Sequence, residues 1–183
     1  MIMMIHKKDL ISLAMKNGFA GADVVKTEEI PFEFSFRDYC GENLCGDYNR
    51  NYTCPPDCGS PEAMYQRILS KPRAIVLQTV WKIKDRYDYD HIEHCRYVHN
   101  EMSILLKKQL QSKGCDGFVA GCSGCMICSP CLKQQGEPCP YPDDKYSCLS
   151  AYCVYVKKLA DRCGMSYSGG AGKIAFFGLY VCD

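Results

Sequence analysis

The stretch Gly121–Pro140, GCSGCMICSPCLKQQGEPCP, carries cysteines at 122, 125, 128 and 131, one every third residue, and a fifth at 139 followed by Pro140. A C-x2-C pair with a turn between its members brings both sulfurs to one side, and chaining such pairs wraps the backbone round a soft metal centre. Gly, Ser and Pro crowd the segment, so packing alone gives no reason to gather that many thiols there. The cysteines therefore predict a metal site, and the chain on either side is the scaffold that must hold it.

Outward from this loop, 183 residues are enough to bury an apolar core without covalent staples. The cysteine count of 15 is odd, which excludes a fully paired set of intramolecular disulfides. The apolar run at Met1–Ile5 is too short for a signal peptide and is followed by His6, Lys7 and Lys8, so the expectation is a cytoplasmic protein in a reducing compartment, where clustered thiols bind metal or act as nucleophiles. Net charge is +1, with 22 basic and 21 acidic side chains mixed along the chain, which leaves no basic footprint for nucleic acid. No run approaches the ~20 apolar residues of a membrane span.

The spacing predicts an amphipathic helix over 7–17 ended by Gly18, a strand over 22–30, and a helix from Pro61 to about Ser70 capped by Ser60. AIVLQTV at 74–80 reads as a buried strand, and 89–112 as a long helix with His91, Cys95, Val98, Met102, Leu105 and Leu106 on one stripe, ended by Gly114. A strand at 117–120 leads into the cysteine loop. Beyond it, Asp143 and Asp144 suit a helix N-terminus, Leu149, Cys153, Val156, Ala160 and Cys163 share a helical face, and KIAFFGLYVC at 173–182 is a closing strand. The fold class is α/β: one layered domain over 1–183 with about four short strands and flanking helices, and two irregular cysteine-rich loops at 32–60 and 121–142.

The first of these loops holds Cys40, Cys45, Cys54 and Cys58 as C-x4-C-x8-C-P-P-x-C. So long an irregular segment needs something to order it, and a second cluster or a zinc would do so; buried structural cysteines are the alternative. In the second loop, five cysteines compete for four positions. The bacterial ferredoxin run C-x2-C-x2-C-x3-C-P shares the tandem triplet and the Cys-Pro, which selects Cys125, Cys128, Cys131 and Cys139 first, although seven residues separate the last two. Cys122 is then a spare, a ligand of a second centre, or a replacement for Cys131. An iron–sulfur cluster of the 4Fe-4S type, one or two per chain, is favoured over zinc because structural zinc sites set their C-x2-C pairs well apart.

His91, His94, Cys95 and His99 offer metal-binding spacings on the long helix, but a partly exposed face with Cys95 in the core accounts for them. Cys115, Cys148, Cys153, Cys163 and Cys182 fall on core faces or element ends, where buried thiols are ordinary. SGGAGKI at 168–174 lacks the outer glycine and the Ser/Thr of a phosphate loop and reads as a turn.

Cys40, Cys45, Cys54, Pro55 and Pro56, together with Gly124, Cys125, Cys128, Cys131, Pro138, Cys139 and Pro142, resemble the two motifs of a family of uncharacterised predicted metal-binding proteins from anaerobic bacteria and archaea. The resemblance implies metal binding and no particular activity. Two departures stand out: Ser147–Ser150 replaces a Ser-Met-Glu-Ala type stretch, and Cys58 and Cys122 look like additions. The function expected is cluster binding with electron transfer to a redox partner protein. A metalloenzyme with an open coordination site and a zinc-stapled interaction module are the alternatives.

Overall fold

A computed structural model of the chain describes residues 5–183; Met1–Met4, and with them most of the apolar run at the start, lie outside the described residues. The fold is organised around strand β2, Arg73–Lys82, which is apolar on both faces and therefore has to be covered twice. Successive side chains point to opposite sides of a strand. Ala74 and Val76 accordingly enter one core and Ile75 and Leu77 the other.

Antiparallel to β2 run β1 (Gly21–Lys26), in register Gly21↔Gln78, and β5 (Lys173–Cys182), in register Arg73↔Cys182. Adding β3 (Gly117–Gly121) and β4 (Ser147–Cys148) gives one sheet in the order β1-β2-β5-β3-β4, with β3 and β4 parallel. On one face, Val76, Leu179 and Val181 pack against Met64 and Ile68 of α3 (Pro61–Leu69) and Leu159 of α5 (Val156–Arg162). On the other, Leu77 and Tyr180 meet Leu10 and Ala14 of α1 (Lys7–Lys16) and Leu106 and Leu110 of α4 (Tyr89–Gln111). Each such side chain, fully buried, contributes roughly 1.5–3 kcal/mol. Ser60 caps α3 by accepting the Ala63 N–H at 3.2 Å, and Asp88 caps α4 through the His91 N–H.

The α/β class and the single layered domain stand, with differences in detail. Among the described residues there are five strands where about four were expected, and β2 and β5 run ten residues each. The loop at 32–60 contains a short helix, α2, Phe36–Gly41. The largest change lies between Asp143 and Cys163, where a helix was expected and only its second half forms. Ser147 and Cys148 pair with Ala120 and Gly121, and Cys153 takes a left-handed φ of 59°, which no continuing helix accommodates. Asp144 caps nothing; its carboxylate pairs with the buried Lys107 at 3.1 Å.

The turn that follows β4 is stitched to the start of the first cysteine loop. Tyr155 N–H donates to the Pro31 carbonyl and Glu33 N–H to that of Cys153, both at 2.8 Å, with Phe32 bridged to Val154. Strand β4 thus lies beside both cysteine loops, at the edge of the sheet.

Candidate metal centres

Strand β3 delivers the chain into the second cysteine loop at Gly121. A side chain there would come within 2.5 Å of the Tyr146 ring and 2.8 Å of the Asn100 Oδ1, so only glycine permits the close approach. Asn100, wholly buried on α4, accepts the Cys122 N–H at 3.1 Å and donates to Ser123 Oγ at 2.9 Å. Tyr146 Oη accepts the Met126 N–H at 3.0 Å. The first turn of the loop is therefore fixed by a helix behind it and by the segment leading to β4.

The first cysteine loop clamps the next residue. Asn51 and Thr53 are 3% and 4% exposed, and Asn51 Oδ1 accepts the Thr53 hydroxyl, turning Thr53 Oγ1 towards the Cys125 N–H at 3.1 Å. Asn51 Nδ2 donates to the Cys125 carbonyl at 2.9 Å. Every polar atom of this buried set that bridges the loops has a partner, which is the condition under which such a network stabilises rather than costs. Further out, Tyr52 Oη donates to the Glu137 carbonyl and Lys133 bonds both Asn49 and Asp57.

Cys125, Cys128, Cys131 and Cys139 line one small cavity together with Asn51, Thr53 and Lys145. Burial raises the Cys125 thiol, the nearby Ile127 and Tyr146 backbone groups oppose it, and Cys139 and Cys131 add like-charge repulsion. Cys128 feels the same two neighbours after its own desolvation. Cys122 stands apart. Its Sγ lies 3.6 Å from the Arg96 carbonyl, it packs with Ile92, Cys95 and Phe176 against α4, and burial pushes its thiol up to about 12.

The first loop brings Cys40, at the end of α2, within electrostatic reach of Cys45 and Cys58, and Cys54 within reach of the same two. Burial raises Cys40, with Arg37 opposing and Cys45, Cys58 and Cys153 adding. Cys54 is 5% exposed, and burial raises it strongly, with Cys148, Asp47, Cys45 and Cys58 adding. Cys148, expected on a core face or element end, packs against the core at the end of β4 and lies within electrostatic reach of Cys40, Cys45 and Cys54. Asp47, half-buried and raised by burial, also lies near Cys54.

The two groups adjoin. A Cβ on Gly124 would lie 3.1 Å from both Cys54 Sγ and Asp47 Oδ2, so the residue before Cys125 is pressed against a thiol of the other loop. All 15 cysteines are free thiols. Among the described residues no three Cys, His, Asp or Glu side chains stand close enough to enclose a single ion. The thiols gather within electrostatic reach, and the lining of the second cavity holds sulfur donors and no carboxylate. Sulfur donors of this kind are the donor set of a thiolate-bound centre.

The histidines of α4 do not join either group. His91 Nε2 lies 3.7 Å from Cys95 Sγ and 3.3 Å from the Lys82 carbonyl. His99 is sealed in the core with Nδ1 2.8 Å from Thr79 Oγ1, and burial pushes it down to about 3, so it stays neutral. Gly169, Gly170 and Gly172 take positive φ in the turn before β5.

The chain belongs to the family described as predicted metal-binding protein (DUF2284), whose model matches residues 23–181 and so takes in both cysteine groups. Neither a curated protein nor a solved structure matches it significantly.

Proposed function

We propose that this metal-binding protein carries iron–sulfur clusters, one at Cys125, Cys128, Cys131 and Cys139 and one at the first cysteine loop, and hands electrons to a partner protein. The observation that supports this most is the convergence on one cavity of four thiols spaced as a tandem triplet and a Cys-Pro. A tandem C-x2-C-x2-C run is the usual form of cubane-cluster ligation, whereas structural zinc sites set two C-x2-C pairs well apart. A cluster supplies one-electron redox chemistry; the chain supplies its ligands, its hydrogen bonds and its exclusion of water. The Ile127 and Tyr146 backbone groups near Cys125 would favour the more negative, reduced form and raise the potential.

Both loops meet at one edge of the molecule, and Tyr141, 47% exposed beside the second cavity, gives that edge an amphipathic contact for a redox partner. No helix of the described residues is long and apolar enough to cross a membrane. Free thiols in this number suit a reducing, cytoplasmic setting.

The test is electron paramagnetic resonance of the anaerobically purified, dithionite-reduced protein. Two reduced clusters as close as Gly124 and Cys54 place them should give a spectrum broadened by spin–spin interaction. A spectrum without any cluster signal, in protein that contains metal, overturns the reading.

A further inference from the structure

We propose that Lys145 sets the potential of the second centre: it is the one cation at the cavity of Cys125, Cys128, Cys131 and Cys139, and it stabilises the reduced form of what those thiols hold. The inference rests on reading that cavity as an iron–sulfur site.

Beside the four thiols, the cavity lining consists of neutral polar side chains of the first loop, such as Asn51 and Thr53, and apolar ones, such as Ile127 and Leu132. Lys145 is the only charged residue in it. Its place there is fixed from both sides. The Lys145 N–H donates to the Tyr141 carbonyl at 3.0 Å and the Asp144 N–H to the same carbonyl at 3.3 Å, which folds the chain after Cys139 into a turn against the cavity. The next residue, Tyr146, is 2% exposed, and its Oη accepts the Met126 N–H at 3.0 Å from within the cysteine loop. Lys145 is exposed while it lines the cavity, the arrangement of a lysine whose stem covers apolar surface and whose ammonium stays in water.

No carboxylate neutralises this cation. Among the described residues no ion pair includes Lys145. The adjacent Asp144 pairs through Oδ1 with Lys107 at 3.1 Å and through Oδ2 with Lys108 at 3.5 Å. Lys133, the lysine within the cysteine loop, is by contrast committed to Asp57 and Asn49 of the first loop. Reduction by one electron adds one negative charge to the centre, with no bond made or broken in the chain. Attraction to Lys145 then lowers the free energy of the reduced form more than that of the oxidised one, and net charge around a cluster is one of the factors that set its potential.

The experiment is a redox titration followed by electron paramagnetic resonance, with dithionite as the electron donor, of anaerobically purified wild type, Lys145→Met, Lys145→Arg and Lys145→Glu. The second centre is identified as the one whose signal is missing from Cys125→Ser. Lys145→Met should make its reduction about tenfold less favourable, a fall of about 59 mV for a one-electron couple. Lys145→Glu should roughly double that shift, and Lys145→Arg should keep the wild-type potential. Iron and acid-labile sulfide per chain should match wild type in all three; loss of the cluster from Lys145→Met would make the residue a structural support and overturns the inference. Since salt screens an exposed charge, the Lys145→Met shift should shrink in about 1 M salt, where the Debye length is ~3 Å. A shift that salt leaves unchanged contradicts the assignment, as does a Lys145→Met potential equal to wild type or a Lys145→Arg potential as low as that of Lys145→Met. Wild-type protein with no reducible cluster defeats the underlying reading, and a reducible cluster whose potential ignores residue 145 defeats the inference alone.

Discussion

The two cysteine groups differ in how the chain assembles them. Cys125, Cys128, Cys131 and Cys139 come from one continuous loop and line one cavity. The first group draws on α2 and on the turns around Cys54, and its loop is tied to the turn after β4 by Arg37 and by the Phe32–Val154 bridge. A metal in the second group would order one continuous loop, whereas one in the first would order a loop already bonded to the turn after β4.

The largest expected effect follows from metal removal, since structural metal binding carries on the order of 10 kcal/mol of folding free energy. Hydrogen exchange after chelation should show protection lost over 32–60 and 121–142 and also over the turn after β4 at 153–155, while β2 and β5 remain protected. If β2 and β5 exchange as fast as the loops, the core is not independent of the metal and the contrast fails.

Single ligand variants sharpen this. Cys40→Ser and Cys125→Ser should each remove about half of the bound metal. Only Cys40→Ser should also speed exchange over the turn at 153–155, where the Cys153 carbonyl and the Tyr155 N–H bond Glu33 and Pro31 at the start of the first loop. Equal loosening of that turn in both variants would mean that the two groups behave as one.

The clamp between the loops comes next in size. Asn51→Ala leaves the Cys125 carbonyl and the Thr53 hydroxyl without their partner, for a cost of about 1–3 kcal/mol in denaturant unfolding. Faster metal loss from the second centre should accompany it. A variant as stable as wild type would show that the loops are held together by metal alone.

The smallest effect concerns the Lys107–Asp144 pair, which holds the segment leading to β4. The hydrogen bond from Lys107 lowers the Asp144 pKa below its ordinary value of 3.8. A carboxylate depressed in the folded state adds stability above its unfolded pKa and loses that contribution as pH falls through the folded value. Asp144→Asn should therefore cost about 1 kcal/mol at neutral pH, and the difference from wild type should shrink in acid below the ordinary carboxylate range. A deficit that persists unchanged in acid would assign the effect to packing.

What could be read from the sequence divides along the same line. The tandem triplet needs only local spacing, so the gathering of Cys125, Cys128, Cys131 and Cys139 on one loop was legible, as were β2, β5 and the Ser60 cap of α3. Strand β4 was not, because Leu149, Cys153, Val156 and Ala160 keep a helical spacing that tertiary structure overrides. The pairing of Ser147 and Cys148 with β3 and the left-handed Cys153 are consequences of the assembled sheet. Cys122 was ambiguous for a similar reason. It belongs to the triplet by spacing, and Asn100 turns its backbone towards α4.

The central claim, that the thiols hold iron–sulfur clusters, is tested most directly by counting iron, zinc and acid-labile sulfide per chain in protein purified without oxygen. Two clusters predict iron and sulfide in equal amounts with zinc below one per chain. Zinc without sulfide, or protein with no metal, would contradict it.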